Sequence, residues 1–275
     1  MSAIIVTGGA TGIGLAISEH LASQGFDLII VSRSEERLKS VQARLKKTFS
    51  VAVDYAVCHL RDERMVTKVT DELMGNFDVI GLVNNAAANF ICPSEKVSSN
   101  GFHAIFDTVA VGTFFMTQQI GKHWIESNKQ GAIVSISASY GAGAGPYVVP
   151  SAMGKAAVES MTRSLAIEWA QKGIRLNAIS PGLFPTPGSI KQLLPTPQML
   201  DELKKYIPQG EFGQMESIAA LTKFLLVDCG PYLTGEVIKL DGGFYHASGA
   251  GPFFDLLRKI DPAVWQQIRK MSAKK

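Results

Sequence analysis

The stretch Thr7-Gly8-Gly9-Ala10-Thr11-Gly12-Ile13-Gly14 follows a short apolar run, Ala3–Val6, and leads into an amphipathic one, Ile13–Ser23. Glycines in that setting allow a tight turn and let backbone N–H groups approach a pyrophosphate at a helix N-terminus. A lone glycine triplet is a weak signal, but a triplet between a strand and a helix points to a bound nucleotide, with Gly8, Gly9, Thr11, Gly12, Ile13 and Gly14 as its contacts. The next apolar run ends in Val31-Ser32-Arg33-Ser34, where a cofactor with a free ribose 2′-OH would meet a carboxylate. An uncharged residue followed by Arg33 instead favours the 2′-phosphate of NADP, so NADPH is the expected cofactor; the plainer alternative is a solvated loop charge. Arg37, one turn on, either assists or is simply exposed.

A second group of reactive side chains lies further along. Ser151 and Lys155 stand four residues apart in a helical stretch, so a hydroxyl and a cation share one face. Tyr140 lies fifteen residues before Lys155, where a strand candidate runs out into a Gly-rich loop. Leu82-Val83-Asn84-Asn85-Ala86-Ala87 places amides and small side chains at another strand end, beside the expected nucleoside. His103, His123 and His246 have no partner spacing that suggests a metal site or a catalytic pair, and no metal is expected.

The elements that must position these groups alternate. Ala3–Val6, Leu28–Val31, Val51–Val57, Val79–Val83, Ala132–Ile136, Ile174–Ile179 and Val237–Leu240 read as seven buried strands. Between them Ile13–Ser23, Glu35–Lys47, Glu63–Leu73, Gly101–Glu126 and Ser151–Gln171 read as amphipathic helices. That alternation predicts an α/β chain with a parallel sheet covered on both faces. Gly141–Pro146 and Pro181–Gly188 follow the fifth and sixth strands, at the carboxyl ends where such sheets bind ligands. The last stretch, Gly251 to Lys275, has apolar residues at near-helical spacing and is expected to pack back on the body or to form a subunit contact.

Composition excludes several classes. The chain has 275 residues, 46% hydrophobic and 19% charged, with 27 Lys+Arg against 24 Asp+Glu and a net charge of +3, which suits a globular chain and gives no nucleic-acid footprint. Cys58, Cys92 and Cys229 form no CxxC pair and fit small buried thiols in a reducing compartment. No apolar stretch approaches the ~20 residues of a membrane span. The first strand begins at once, leaving no room for a leader, and the final Ser-Ala-Lys-Lys is no peroxisomal address, so a cytoplasmic location is expected.

The glycine pattern, Asn84-Asn85-Ala86-Ala87, Lys155 inside a long helix and Ile179-Ser180-Pro181-Gly182 together resemble the short-chain dehydrogenase/reductase family over nearly the whole chain. The resemblance implies a single doubly wound Rossmann domain with seven parallel strands over residues 1–250, including a substrate loop at 181–210, followed by a tail at 251–275. It also implies cofactor contacts from His59, Leu60, Asn85, Lys155, Pro181, Gly182, Leu183 and Phe184. Three positions depart from the family's usual catalytic set: Ser151 stands where Tyr is usual, Ala138 where Ser is usual, and Val111 where the helix Asn is usual. An ordinary ketone reductase should not work with this set.

Tyr140 is the replacement acid, and its relocation looks like the 2,4-dienoyl-CoA reductases of the mitochondrial type. Asn89-Phe90-Ile91, Val148-Val149-Pro150-Ser151-Ala152 with Lys155, Glu168-Trp169, Asp255-Leu256-Leu257-Arg258-Lys259 and Trp265 extend that resemblance. It implies NADPH-dependent reduction of a 2,4-dienoyl thioester, with acyl-CoA as substrate, Tyr140 and Asn89 as donors to the thioester oxygen, and Lys155 on the nicotinamide ribose. Lys155, as a cation, is expected to make Tyr140 more acidic. Ser151 takes a lesser hydrogen-bonding role near cofactor or substrate, and Phe90 lines the acyl channel. The plainer alternatives are a packed loop aromatic for Tyr140, a turn amide for Asn89 and a core ring for Phe90. His59 replaces the family's acidic residue at the adenine, and Ala88 replaces a Gly beside Asn89. Apolar surplus on the Gly101–Glu126 and Ser151–Gln171 helices, together with the resemblance, leads to an expected homotetramer. Two competing readings are a carbonyl or 3-ketoacyl reductase of the same family and a non-catalytic NADP-binding module.

Overall fold

The computed structural model describes residues 2–188, 197–247, 261–264 and 266. The tail motif at 255–259, Trp265 and most of the predicted tail lie outside the described residues.

Seven strands form one parallel sheet: β1 (Ser2–Thr7), β2 (Asp27–Ser32), β3 (Val53–Val57), β4 (Asp78–Asn84), β5 (Gly131–Ile136), β6 (Ile174–Pro181) and β7 (Val237–Leu240). Their spatial order is β3-β2-β1-β4-β5-β6-β7, so the winding reverses beside β1, between β1 and β4. Both neighbours of β1 run parallel to it. A crevice therefore opens outside the carboxyl ends of these strands, where the chain leaves in opposite directions.

The strands are apolar on both sides because both faces are covered. Along β1, Ile4 and Val6 enter a core with Ile17, Leu21, Leu38 and Ile218, while Ala3 and Ile5 enter a second core with Leu82, Met116, Ile120 and Trp124. This is why the strand runs read as continuous hydrophobic stretches rather than alternating ones. The predicted third strand starts two residues late, at Val53, because the Ala52 amide is bonded to the Asp27 carboxylate at 2.8 Å.

The helices are α1 (Gly12–Ser23), α2 (Glu35–Thr48), α3 (Glu63–Asn76), α4 (Ser99–Phe106), α5 (Gly112–Glu126), α6 (Val149–Trp169), α7 (Pro197–Lys205) and α8 (Met215–Lys223). The single helix predicted over 101–126 is divided: a π-helical turn, Asp107–Val111, separates α4 from α5. Gly112 follows this turn against the backbone and side chain of Leu60, with no room for a Cβ. The extra residue in the turn re-aims the helix so that this close approach can occur. Pro150 sits in the first turn of α6, where its missing N–H costs nothing, and left-handed Gly173 (φ 72°) ends the short 3-10 turn that follows. Among the described residues no helix is long and apolar enough to cross a membrane.

Candidate active site

The turn between β1 and α1 is built from backbone. Gly8 (φ 66°) and Gly12 (φ 54°) are left-handed, a conformation that residues with a Cβ rarely adopt. A Cβ on Gly14 would collide with the Gly8 carbonyl and the Asn85 amide. Thr11 flanks α1 in extended conformation, makes no side-chain cap bond, and no acidic residue stands in the first turn. The leading N–H groups of α1 are thus presented to an anion, with the helix dipole behind them. This cradle fits a dinucleotide pyrophosphate. Ile13 is half-buried against the first core, so its contribution to the cradle is its backbone.

Two strands brace the turn. The Gly8 amide donates to Val31 of β2 at 2.7 Å. Thr7 Oγ1 donates to Val83 of β4 at 3.2 Å and accepts the Asn85 and Ala86 amides at 3.0 and 3.1 Å. Asn85 Nδ2 donates to the carbonyls of Thr7 at 3.0 Å and Gly8 at 3.4 Å. The Asn85 amide, expected beside the nucleoside, is therefore engaged with the glycine turn and acts on a cofactor through it. Thr7 was missed in the sequence, although a hydroxyl at the last residue of β1 is the available signal. Asn84 turns away, donates to Thr117 at 2.8 Å and keeps a buried Oδ1 with no partner among the described residues.

The other expected cofactor residues divide. Arg33 and His59 are exposed at the ends of β2 and β3, and Leu60 is buried beside Gly112. After β6, the Gly182 amide donates to Leu240 at 2.9 Å, and Asp241 leaves no space for a Cβ there. Thr186 lies so near the glycine turn that a Cβ on Gly12 would be 3.3 Å from its Cγ2, which brings the loop after β6 over the cradle. Pro181 is buried, and Leu183 offers its carbonyl to Gly213 at 2.9 Å. Phe184 departs from the expectation, because its ring is buried in the first core with Gly213 pressed on it. Only its backbone is left for the crevice.

The reactive side chains meet at the carboxyl ends of β4 and β5. Asn89 Nδ2 donates to the Tyr140 hydroxyl at 3.2 Å, and that hydroxyl shares a hydrogen bond with Ser151 Oγ at 3.1 Å. Asn89 Oδ1 accepts the Phe90 amide at 2.9 Å, which fixes the amide with its NH2 toward the tyrosine. The Tyr140 loop is fastened to β6, with the amides of Ser137 and Ser139 donating to Ile179 at 2.7 Å and Pro181 at 3.2 Å. A phenol that accepts from one neighbour can still donate its own proton to a third group. Phe90 departs from the acyl-channel expectation in part: it packs with Ala88 against the small core of Ile105, Val109 and Val158.

Lys155 is buried, and its ammonium donates to the carbonyl of Ile136 at the end of β5. Burial brings its pKa down to about 8, and the Glu159 carboxylate opposes that fall. The expectation that Lys155 makes Tyr140 more acidic is not met. Burial pushes the Tyr140 hydroxyl up, the bonds from Ser151 and Asn89 pull it partly back, and Lys155 has no part in either effect. Tyr140 is therefore a neutral O–H donor at physiological pH. Among the described residues no group of three or more His, Cys, Asp or Glu could hold a metal ion.

Comparison with known proteins agrees with this geometry. A family model described as enoyl-(acyl carrier protein) reductase matches residues 8–245. A protein of Bacillus subtilis (strain 168) named Probable 2,4-dienoyl-CoA reductase, (2E)-enoyl-CoA-producing, is 39% identical over 243 residues, covering 88% of this chain and 95% of its own. A Caenorhabditis elegans protein named Probable 2,4-dienoyl-CoA reductase decr-1.2, (3E)-enoyl-CoA-producing, is 36% identical over 272 residues, covering 98% of this chain and 88% of its own. The solved RhlG/NADP active-site complex of Pseudomonas aeruginosa superposes with a TM-score of 0.80 at 27% identity, over 89% of this chain and 96% of that one.

Proposed function

The chain belongs to the short-chain dehydrogenase/reductase family and is an oxidoreductase, and from that premise we propose that it reduces 2,4-dienoyl-CoA thioesters with NADPH. The observation that carries this reading is the Tyr140 hydroxyl held between Asn89 at 3.2 Å and Ser151 at 3.1 Å, in a chain with Ser151 where a ketone reductase of the family would have its tyrosine. The names of the relatives support the same substrate class.

Bound NADPH supplies the hydride, which adds to the far end of the conjugated dienoyl system. Negative charge then moves onto the thioester oxygen as an extended dienolate. The Tyr140 O–H and the remaining Asn89 N–H are the donors to that oxygen, each lowering the barrier by about 3 kcal/mol if preorganised and dry. The raised pKa of Tyr140 keeps its proton in place for this task. Ser151 orients the phenol. Lys155 holds the nicotinamide ribose, Arg33 meets the 2′-phosphate, and the glycine turn holds the pyrophosphate. Water or a solvent-linked group protonates the dienolate, at the α carbon for a 3-enoyl product.

The test is NADPH oxidation with a short 2,4-dienoyl-CoA, running wild type beside Tyr140→Phe and a 3-ketoacyl-CoA control, with the product double bond located by NMR. The expected result is turnover of the dienoyl substrate that collapses in Tyr140→Phe. Turnover of the ketoacyl control alone replaces this reading with a carbonyl reductase. Inactivity on both, with NADPH still bound, replaces it with a non-catalytic module or another substrate.

A further inference from the structure

Glu159 has no place in the scheme above, yet it is among the most deeply buried charged groups described, with 1% of its surface exposed. It lies on α6 one turn after Lys155 and two turns after Ser151, so all three share a helix face. Its Oε1 accepts the Ser137 hydroxyl at 2.6 Å, while Oε2 reaches only the exposed Arg163 guanidinium, at 3.8 Å. The carboxylate also fills the space that a Cβ on Gly141 would need. Ser137 and Gly141 flank Tyr140, and Lys155 holds Ile136, the residue before Ser137. Two successive turns of α6 thus hold two successive residues at the root of the tyrosine loop. We propose that Glu159 is a positioning residue: it clamps the Tyr140 loop to the helix carrying Ser151 and Lys155, and serves as the counter-charge behind Lys155. The inference rests on the reductase reading for its catalytic consequence, though not for its effect on Lys155.

A buried carboxylate kept only for packing could be replaced by its isosteric amide with little consequence. Here the charge itself has a task, because burial brings the Lys155 ammonium down to about 8 and Glu159 alone is seen to oppose this. The other titratable groups on elements packed against α6 are engaged elsewhere. His103 and Asp107 pair at 3.3 Å, His123 pairs with Asp71 at 2.8 Å, and Lys122 lies 3.9 Å from Glu126. Arg175 of β6 donates to the carbonyls of Leu225 and Leu226 at 2.8 Å.

The experiment titrates NADPH affinity from pH 6 to 10 by nucleotide fluorescence, which needs no acyl substrate, for wild type and Glu159→Gln. Wild type should lose affinity as pH rises through about 8, where Lys155 loses its proton. Without the carboxylate the cation is less stable, so the midpoint in Glu159→Gln should fall by about half a unit or more. The kcat with dienoyl-CoA should fall ~10-fold through the loosened loop. A midpoint identical to wild type overturns the proposal, whatever the variant's stability. If Glu159→Gln does not fold, Ser137→Ala decides: kcat lowered several-fold at unchanged NADPH affinity is expected, and unchanged kcat overturns the clamp. Absence of dienoyl turnover in wild type would instead count against the reductase reading, with the midpoint comparison still deciding the role of Glu159.

Discussion

The cofactor cradle and the reactive cluster are adjacent in space but are made of different materials. The cradle is backbone: left-handed Gly8 and Gly12, a Gly14 with no room for a side chain, and the open N-terminus of α1, all within one contiguous stretch. The reactive cluster is side chain, joining Asn89 to Tyr140 across 51 residues and Tyr140 to Ser151 across 11. Steric demands on a backbone are met in one way, at fixed positions. A hydroxyl can arrive at the same point from more than one place, which is how Tyr140 can serve from the loop after β5 while Ser151 occupies the helix.

If the two regions are separable, the largest effect belongs to the reactive cluster and should spare the cradle. Tyr140→Phe keeps the packed ring and deletes only the donor. We expect kcat with dienoyl-CoA to fall by ~10²–10³-fold, the range for losing one oxyanion donor. NADPH affinity measured by fluorescence should stay within about twofold, because no described bond joins Tyr140 to the glycine turn. Equal loss of binding and turnover would break the comparison, since it would make the tyrosine part of the cofactor site.

The reverse experiment is Gly14→Ala. The new methyl meets the Gly8 carbonyl and the Asn85 amide, and both belong to the brace that fixes the turn. Overpacking of this kind costs about 1–3 kcal/mol, so NADPH binding should weaken ~10–100-fold and the melting temperature should drop. The kcat at saturating NADPH should change far less than in Tyr140→Phe. A variant that binds NADPH as wild type does would show that the turn is not the pyrophosphate cradle.

The same contrast explains what could be read from the sequence. Glycines that must be glycine sit next to one another, and buried parallel strands leave unbroken apolar runs, so the cradle and all seven strands were legible. Tyr140, Asn89, Ser151 and Lys155 were legible only through resemblance, because no local pattern says that residues 51 apart will touch. The division of the predicted 101–126 helix was not legible, since its cause is the close approach of Gly112 to Leu60, a tertiary demand. Phe184 was misassigned for a similar reason: a ring at a strand end enters the core or the crevice according to neighbours such as Gly213 that are distant in the sequence. Glu159 had a visible signal in its spacing from Ser151 and Lys155, but only the fold brings Ser137 and Gly141 to it.

Within the cradle a smaller effect concerns the choice of cofactor. Arg33 is exposed at the end of β2 and, among the described residues, has no ion-pair partner, so a phosphate would not have to displace one. Arg33→Ser should weaken NADPH about 10-fold while leaving NADH nearly unchanged, a loss typical of one charge-assisted contact. The ratio of kcat/KM values for the two cofactors is the measurement. A ratio equal to that of wild type would return Arg33 to a solvated loop charge and leave the NADPH preference without a residue.

The smallest effect is expected inside the reactive cluster, at Ser151. Its hydroxyl touches Tyr140 at 3.1 Å, but the phenol keeps its bond from Asn89 at 3.2 Å when the serine is removed. Ser151→Ala therefore deletes one of two orienting contacts and leaves the donor itself. A neutral hydrogen bond of this kind contributes about 1 kcal/mol, which sets the expected fall in kcat at ~5-fold with the KM for NADPH unchanged. Because Ser151 is 2% exposed, the alanine adds no cavity open to water, and the melting temperature should hardly move. A double variant with Tyr140→Phe sharpens the point. If Ser151 acts only by orienting the phenol, the double variant should be no slower than Tyr140→Phe alone. A further drop would mean that Ser151 contacts substrate or cofactor directly, and that the reactive cluster has two independent donors on α6 and its preceding loop.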